Sequence, residues 1–207
     1  AFATASGMAA VNGVLTSIVR AGDHLVAARA LFGSCIYILE EVLGRFGVEV
    51  TFVDGTDLEQ WRAAVRPGTK AVFFESVSNP TLEVADIATP VFSTAVEQGA
   101  DVVVYSATKH IDGQGRALGG VVCGTQHFIR KVLEPYMKHT GGSISPFNAW
   151  LMLNGMATLD LRCRAMADSA ERIARALDGD ARLRVIHPAL ESHPQHALAK
   201  KQMGLSV

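Results

Sequence analysis

The stretch Val102-Val-Val-Tyr-Ser-Ala-Thr-Lys109-His-Ile-Asp-Gly-Gln-Gly-Arg-Ala-Leu-Gly-Gly120 decides the architecture. A continuous apolar run predicts a strand buried on both faces, as in a parallel sheet covered by helices. Two hydroxyl residues, Ser106 and Thr108, then flank Lys109, and glycines follow. In open α/β sheets ligands gather at the carboxyl ends of the strands, which is where this lysine falls. A lysine desolvated at such a place can lose its proton and attack an aldehyde as a free amine. Ser106 and Thr108 can hydrogen-bond phosphate oxygens, and the glycines let the backbone approach a ligand closely. The alternative is an ordinary surface-loop lysine, the reading that suits Lys70, Lys131 and Lys138.

Outward from this segment, helix and strand patterns alternate. Met8, Val11, Leu15 and Ile18 share one face of a helix predicted over 7–20, followed by a short strand over His24–Ala28. Ile36, Leu39, Leu43 and Phe46 share a face of a second helix that Gly47 can end. Val48–Val53 reads as a strand. Thr56-x-x-Glu59 has the pattern of a capping box for a helix carrying Leu58, Trp61 and Val65. Ala71–Phe74 is another apolar run of the doubly buried kind, and Gly119–Cys123 a further strand. From Ser145 to about Leu177 the pattern is almost wholly helical. This alternation predicts an α/β fold with a largely parallel sheet. The rhythm breaks once: 81–95 offers no clear strand and only a weak helix where a crossover is due.

Composition narrows the partners. With 207 residues there is room for one domain and the beginning of a second. Nineteen basic against 20 acidic side chains give a net charge of −1, which offers nothing to nucleic acid or an anionic membrane. Cys35, Cys123 and Cys163 are odd in number and widely spaced, which argues against a disulfide framework or zinc site and suits a reducing cytosol. The uncharged segment 1–19 lacks a basic leading region and is broken by Thr4, Ser6, Asn12, Thr16 and Ser17, so neither a signal peptide nor a membrane span is expected. Without an initiator Met, the chain is expected to begin in mid-protein.

Ser106-Ala-Thr-Lys-His-Ile-Asp-Gly-Gln-Gly-Arg116 closely resembles the cofactor-lysine motif of the Cys/Met-metabolism family of pyridoxal 5'-phosphate (PLP) enzymes. The resemblance extends over essentially the whole chain. It includes Ser6-Gly-Met-Ala-Ala10, Leu31-Phe-Gly-Ser-Cys35, Glu75-Ser-Val-Ser-Asn-Pro80 and Ser145-Pro-Phe-Asn-Ala-Trp150. It implies PLP transferase fold type I, aspartate-aminotransferase-like, with a PLP-binding large domain over 1–155 and a linking helix plus the start of a small domain over 156–207, both incomplete. Lys109 is then the catalytic residue that holds PLP as a Schiff base. Gly7 and Met8 resemble the phosphate cradle, as a helix N-terminus favours an anion; the alternative is a glycine before a buried helix. Phe32 corresponds to an aromatic stacked on the pyridine ring, or is a core aromatic. Asn79 resembles the residue that binds the cofactor's phenolic oxygen, or is a turn Asn before proline.

The branch most resembled is the sulfhydrylase that acts on O-succinylhomoserine. It implies joining sulfide to an activated homoserine, giving homocysteine for methionine biosynthesis. Cystathionine γ-synthase or γ-lyase chemistry is the alternative, and a non-catalytic remnant that binds PLP weakly is another. The implied partners are a small amino-acid substrate and sulfide in a cytoplasmic homo-oligomer, a tetramer in the family, with no metal. Three family features are missing: an upstream Tyr-x-Arg segment, a helix and strand after Val84-Ala-Asp-Ile-Ala88, and most of the C-terminal domain. That strand bears the aspartate paired with the ring nitrogen. Neither Asp86 nor Asp101 aligns with it.

Overall fold

The computed structural model describes residues 1–78, 95–96 and 99–203. In chain order the elements are β1 (Phe2–Thr4), α1 (Gly7–Ile18), β2 (His24–Ala28), α2 (Gly33–Tyr37), β3 (Glu49–Val53), α3 (Leu58–Ala64) and β4 (Thr69–Phe73). They continue as β5 (Val102–Ser106), β6 (Gly120–Gly124), α4 (Glu134–Thr140), α5 (Pro146–Met156), α6 (Leu159–Leu177) and α7 (His196–Met203). Wider π-helical turns extend α2 over Ile38–Leu43 and lead into α4 over Phe128–Leu133. The weak segment 81–95 lies almost entirely outside the described residues.

Local rules account for most boundaries. The Ser6 hydroxyl caps α1 by accepting the Ala9 N–H at 3.0 Å. Gly47, at φ +75°, ends the second helix as expected. The expected capping box is displaced by one residue. Asp57 caps α3 by accepting from the Glu59 and Gln60 amides, whereas the Thr56 hydroxyl donates to Asp54 at 2.7 Å. A carboxylate offers the helix N-terminus both acceptors and negative charge, which the hydroxyl cannot match. Phe46, assigned by its spacing to the inward face, is instead 67% exposed, because the chain turns at 46–47.

The described strands form two three-stranded sheets, β3-β2-β4 and β1-β6-β5. The first is parallel throughout; the second is antiparallel, so the parallel arrangement holds for one half of the fold. His24, buried at the start of β2, ties the first sheet together: its Nδ1 meets the Thr69 hydroxyl at 2.8 Å and its Nε2 the Thr51 hydroxyl at 2.9 Å. α1 spans both sheets. Val11 and Leu15 join the core around Leu25, Leu39 and Leu43, while Ala10 and Val14 join that around Val122, Leu133 and Met137. Val104 of β5 packs against both clusters.

β4 and β5 do not meet the expectation of burial on both faces. Val72 is 46% exposed, and Val102–Tyr105 are only partly buried. Each strand is the outermost of its sheet among the described residues, so one row of backbone groups lacks a described strand beside it. The helical stretch after Ser145 is divided at 157–158 into α5 and α6.

Candidate functional site

β5 ends at Ser106 against the first residue of α1. A Cβ built on Gly7 would lie 2.8 Å from the Ser106 Cβ and 2.9 Å from its Oγ, so any larger residue at position 7 would force the two segments apart. As the first two residues of a 12-residue helix, Gly7 and Met8 carry N–H groups without intrahelical acceptors. The Ser6 side chain takes the Ala9 N–H and the Ser6 carbonyl the Ala10 N–H. The exposed Ser106 hydroxyl thus lies beside a helix N-terminus, a place that favours an anion.

Lys109 follows three residues later. Its N–H donates to the Ser106 carbonyl at 3.3 Å, and its own carbonyl accepts from Gly113 at 2.7 Å, so the lysine sits in a tight turn at the strand's end. Its side chain is exposed, so the described residues do not themselves provide the desolvation inferred from sequence. Thr108 faces differently from Ser106. Its hydroxyl donates to the Gly119 carbonyl at 3.3 Å and accepts the Gly119 N–H at 3.1 Å, closing the loop. To donate to a phosphate it must give up the longer of these.

Asp112 is 1% exposed, the most buried acid of the loop, and sequence reading passed over it. Its carboxylate accepts from the Arg116 N–H at 2.7 Å, the Gln114 N–H at 3.3 Å and Arg116 Nε at 2.9 Å. Burial alone pushes its carboxyl up, but the bonds from Arg116 and Gln114 outweigh that and hold it below the usual carboxylate range. The Asp-Gly-Gln-Gly-Arg spacing carried this signal, since two glycines at φ +74° and +67° let the chain fold back onto Asp112.

The neighbouring sheet supplies a second edge. Phe32 follows β2 and is 44% exposed, which removes the core-aromatic alternative. Its N–H donates to Glu75 Oε1 at 2.9 Å, joining the loop after β2 to the end of β4. Glu75 was another residue not singled out from sequence. Burial, followed by the Glu75 carboxylate, pushes the Cys35 thiol up to about 12. Asn79 and Asp86 lie outside the described residues. Asp101 precedes β5, at the end opposite Lys109. Asp112 is held by Arg116. Among the described residues no three His, Cys, Asp or Glu side chains form a metal site, no helix is long and apolar enough to cross a membrane, and all three cysteines are free.

The sequence pattern of the family described as Cys/Met metabolism PLP-dependent enzyme matches residues 1–89 and 87–206. The match is thus broken at 87–89, where the sequence sets the missing helix and strand. O-succinylhomoserine sulfhydrylase of Mycobacterium tuberculosis (strain H37Rv) is 48% identical over 225 residues, covering 99% of this chain and 55% of that protein. The alignment is longer than the 207-residue chain, so the relative has residues with no counterpart here. A canavanine gamma-lyase of Pseudomonas canavaninivorans is 40% identical, covering 97% of this chain and 56% of that protein. The crystal structure of a Campylobacter jejuni O-acetylhomoserine (thiol)-lyase with N'-pyridoxyl-lysine-5'-monophosphate superposes with a TM-score of 0.92 at 27% identity, covering 99% of this chain and 64% of that one. The chain spans about half the length of the curated relatives it matches.

Proposed function

This chain belongs to the Cys/Met-metabolism family of PLP-dependent enzymes, and we propose that its chemistry is the sulfhydrylation of O-succinylhomoserine, or a related activated homoserine, to homocysteine with release of succinate. The observation that carries this reading is the contact of Gly7 with Ser106, which sets a helix N-terminus and a hydroxyl beside Lys109.

Bound PLP supplies a conjugated electron sink for negative charge developing at the substrate Cα. The chain's own residues divide the remaining work. The Gly7 and Met8 amides and the Ser106 hydroxyl would hold the phosphate, with Thr108 beside them. Phe32 would orient the ring and, lacking a hydroxyl, would exchange no proton. Asn79, by the family resemblance, would bind the phenolic oxygen. Lys109 Nζ would hold the aldehyde carbon and would carry protons between the substrate Cα and the adjacent carbons.

Residues 1–155 form the PLP-binding part, and α6 with the segment beyond it links to a second domain. Phe147, Trp150 and Leu153 on α5 are exposed, with the Phe147 and Trp150 rings 6.0 Å apart, which favours a homo-oligomer, tetrameric as in the family. Three free cysteines favour the cytoplasm. A second reading is γ-lyase or cystathionine γ-synthase chemistry on the same framework, and canavanine gamma-lyase is among the relatives. A third is a non-catalytic remnant that binds PLP weakly, favoured by the break of the family match at 87–89. Incubation with PLP and O-succinylhomoserine, with sulfide in one arm and cysteine in another, separates them, cystathionine in the second arm marking the γ-synthase. Homocysteine supports the first reading; an α-keto acid without homocysteine supports a γ-lyase; cofactor attachment with no product supports the remnant.

A further inference from the structure

Two arginines hold the loop after Lys109. Arg116 holds it from within, through Asp112. Arg162 reaches it from α6, more than 50 residues away in sequence. Its Nη1 donates to the His110 carbonyl at 2.7 Å. Its Nη2 donates to the carbonyls of Ile111 at 3.3 Å and Gly155 at 2.7 Å, and its Nε to the Thr158 hydroxyl at 3.0 Å. Among the described residues Arg162 makes no ion pair, in contrast to Arg164, which pairs with Asp160. Its charge is spent on the oxygens of the loop and of the α5–α6 junction. The fit is close: a Cβ on Gly113 would collide with the Arg162 guanidinium, and one on Gly155 would strike the Ile111 carbonyl and come within 3.0 Å of that of Asp112.

We propose that Arg162 is a positioning residue for Lys109, fixing the lysine turn from α6 so that Nζ is presented to the cofactor aldehyde. This rests on Lys109 as the attachment residue. Condensation of Nζ with the aldehyde carbon, releasing water, depends on holding the two atoms at near-bonding distance, and small misplacements cost rate and affinity steeply. A planar guanidinium can serve several carbonyls at fixed angles; an ammonium keeps the charge but loses the fork. Because the same side chain ties Gly155 and Thr158, the α5–α6 junction and the lysine turn move as one body.

The test uses the full chain with Arg162→Lys, Arg162→Ala and the control Arg164→Ala. In the absence of cofactor, hydrogen exchange in peptides covering 107–117 should speed up about tenfold or more in both Arg162 variants, with 24–28 unchanged. With cofactor, attachment followed by absorbance near the visible edge should weaken about tenfold or more, whereas pyridoxine 5'-phosphate, which has the ring and phosphate but no aldehyde, should bind unchanged. Guanidinium ion should partly restore attachment in Arg162→Ala, and Arg164→Ala should match the parent. Unchanged exchange in 107–117, or equal losses for both ligands, overturns the proposal. Borohydride trapping of the parent on a lysine other than Lys109 overturns the attachment reading instead, and the exchange data then still decide whether Arg162 holds the loop.

Discussion

Gly7 and Ser106 lie so close that a Cβ on the glycine would sit 2.8 Å from that of the serine, although 99 positions separate them in the chain. The contact brings the start of α1 to the end of β5, where the proposed phosphate site would draw on two peptide amides and one hydroxyl. Gly7→Ala should push the two apart and weaken PLP binding more than pyridoxal binding, since pyridoxal lacks the phosphate. Ser106→Ala should act likewise. A hydrogen bond to a charged group is worth about 1.5–3 kcal/mol, or roughly ten- to 150-fold in affinity. Thr108→Ala should cost less if its hydroxyl stays on Gly119. Equal losses for PLP and pyridoxal in the Gly7 and Ser106 variants would show that neither residue meets the phosphate.

Lys109 should carry the cofactor. Reduction of the PLP-treated chain with borohydride, followed by peptide mapping, is expected to place the pyridoxyl group on Lys109, and Lys109→Ala should abolish the absorbance near the visible edge. A label mainly on Lys70, Lys131 or Lys138 would refute the assignment.

His24 should make the fold acid-sensitive. Burial, and then the Arg66 charge, lower its protonation below the ordinary value of 6.5. The unfolded chain therefore binds the proton more readily, and stability contributed by neutral His24 falls as pH drops through 6.5 toward the folded value. Thermal melting from pH 8 to 5 should show this loss. His24→Gln, which keeps an amide to reach Thr51 and Thr69, should flatten the curve over that interval. Identical pH profiles would mean that another group is responsible; His187, also lowered chiefly by burial, is the next to replace.

The chain as it stands should turn over poorly even when it attaches PLP. The helix and aspartate-bearing strand of the family have no counterpart after Ala88, where the family match breaks, and each tenfold loss of rate corresponds to about 1.4 kcal/mol of barrier. β4 and β5, outermost of their sheets among the described residues, would also invite aggregation wherever no strand covers them. Inserting the helix and strand of a sulfhydrylase after Ala88 should raise homocysteine formation about 100-fold or more and reduce light scattering on concentration. Equal rates with and without the insertion would mean that another acid protonates the ring.

Much of this protein was legible in the sequence because it depends on local chemistry. Strand β2 falls on its predicted residues, α1 begins at the predicted glycine, and the turn at Lys109 follows from an apolar run ending in hydroxyls and glycines. The family was readable for the same reason: the lysine motif is contiguous. Several of the misjudged features depend on neighbours distant in sequence. Apolar runs at β4 and β5 promised full burial, but burial depends on what lies beside a strand, and both strands are the outermost of their sheets among the described residues. Phe46 has the spacing of an inward residue, yet the chain turns away there. Thr108 and Ser106 look equivalent in sequence, and only the return of Gly119 past the turn gives their hydroxyls different partners. Arg162 carried no signal at all, because its hydrogen bonds are to backbone carbonyls. Every residue has one, so side-chain identity in sequence cannot reveal which carbonyls an arginine will meet once α6 packs against the lysine loop.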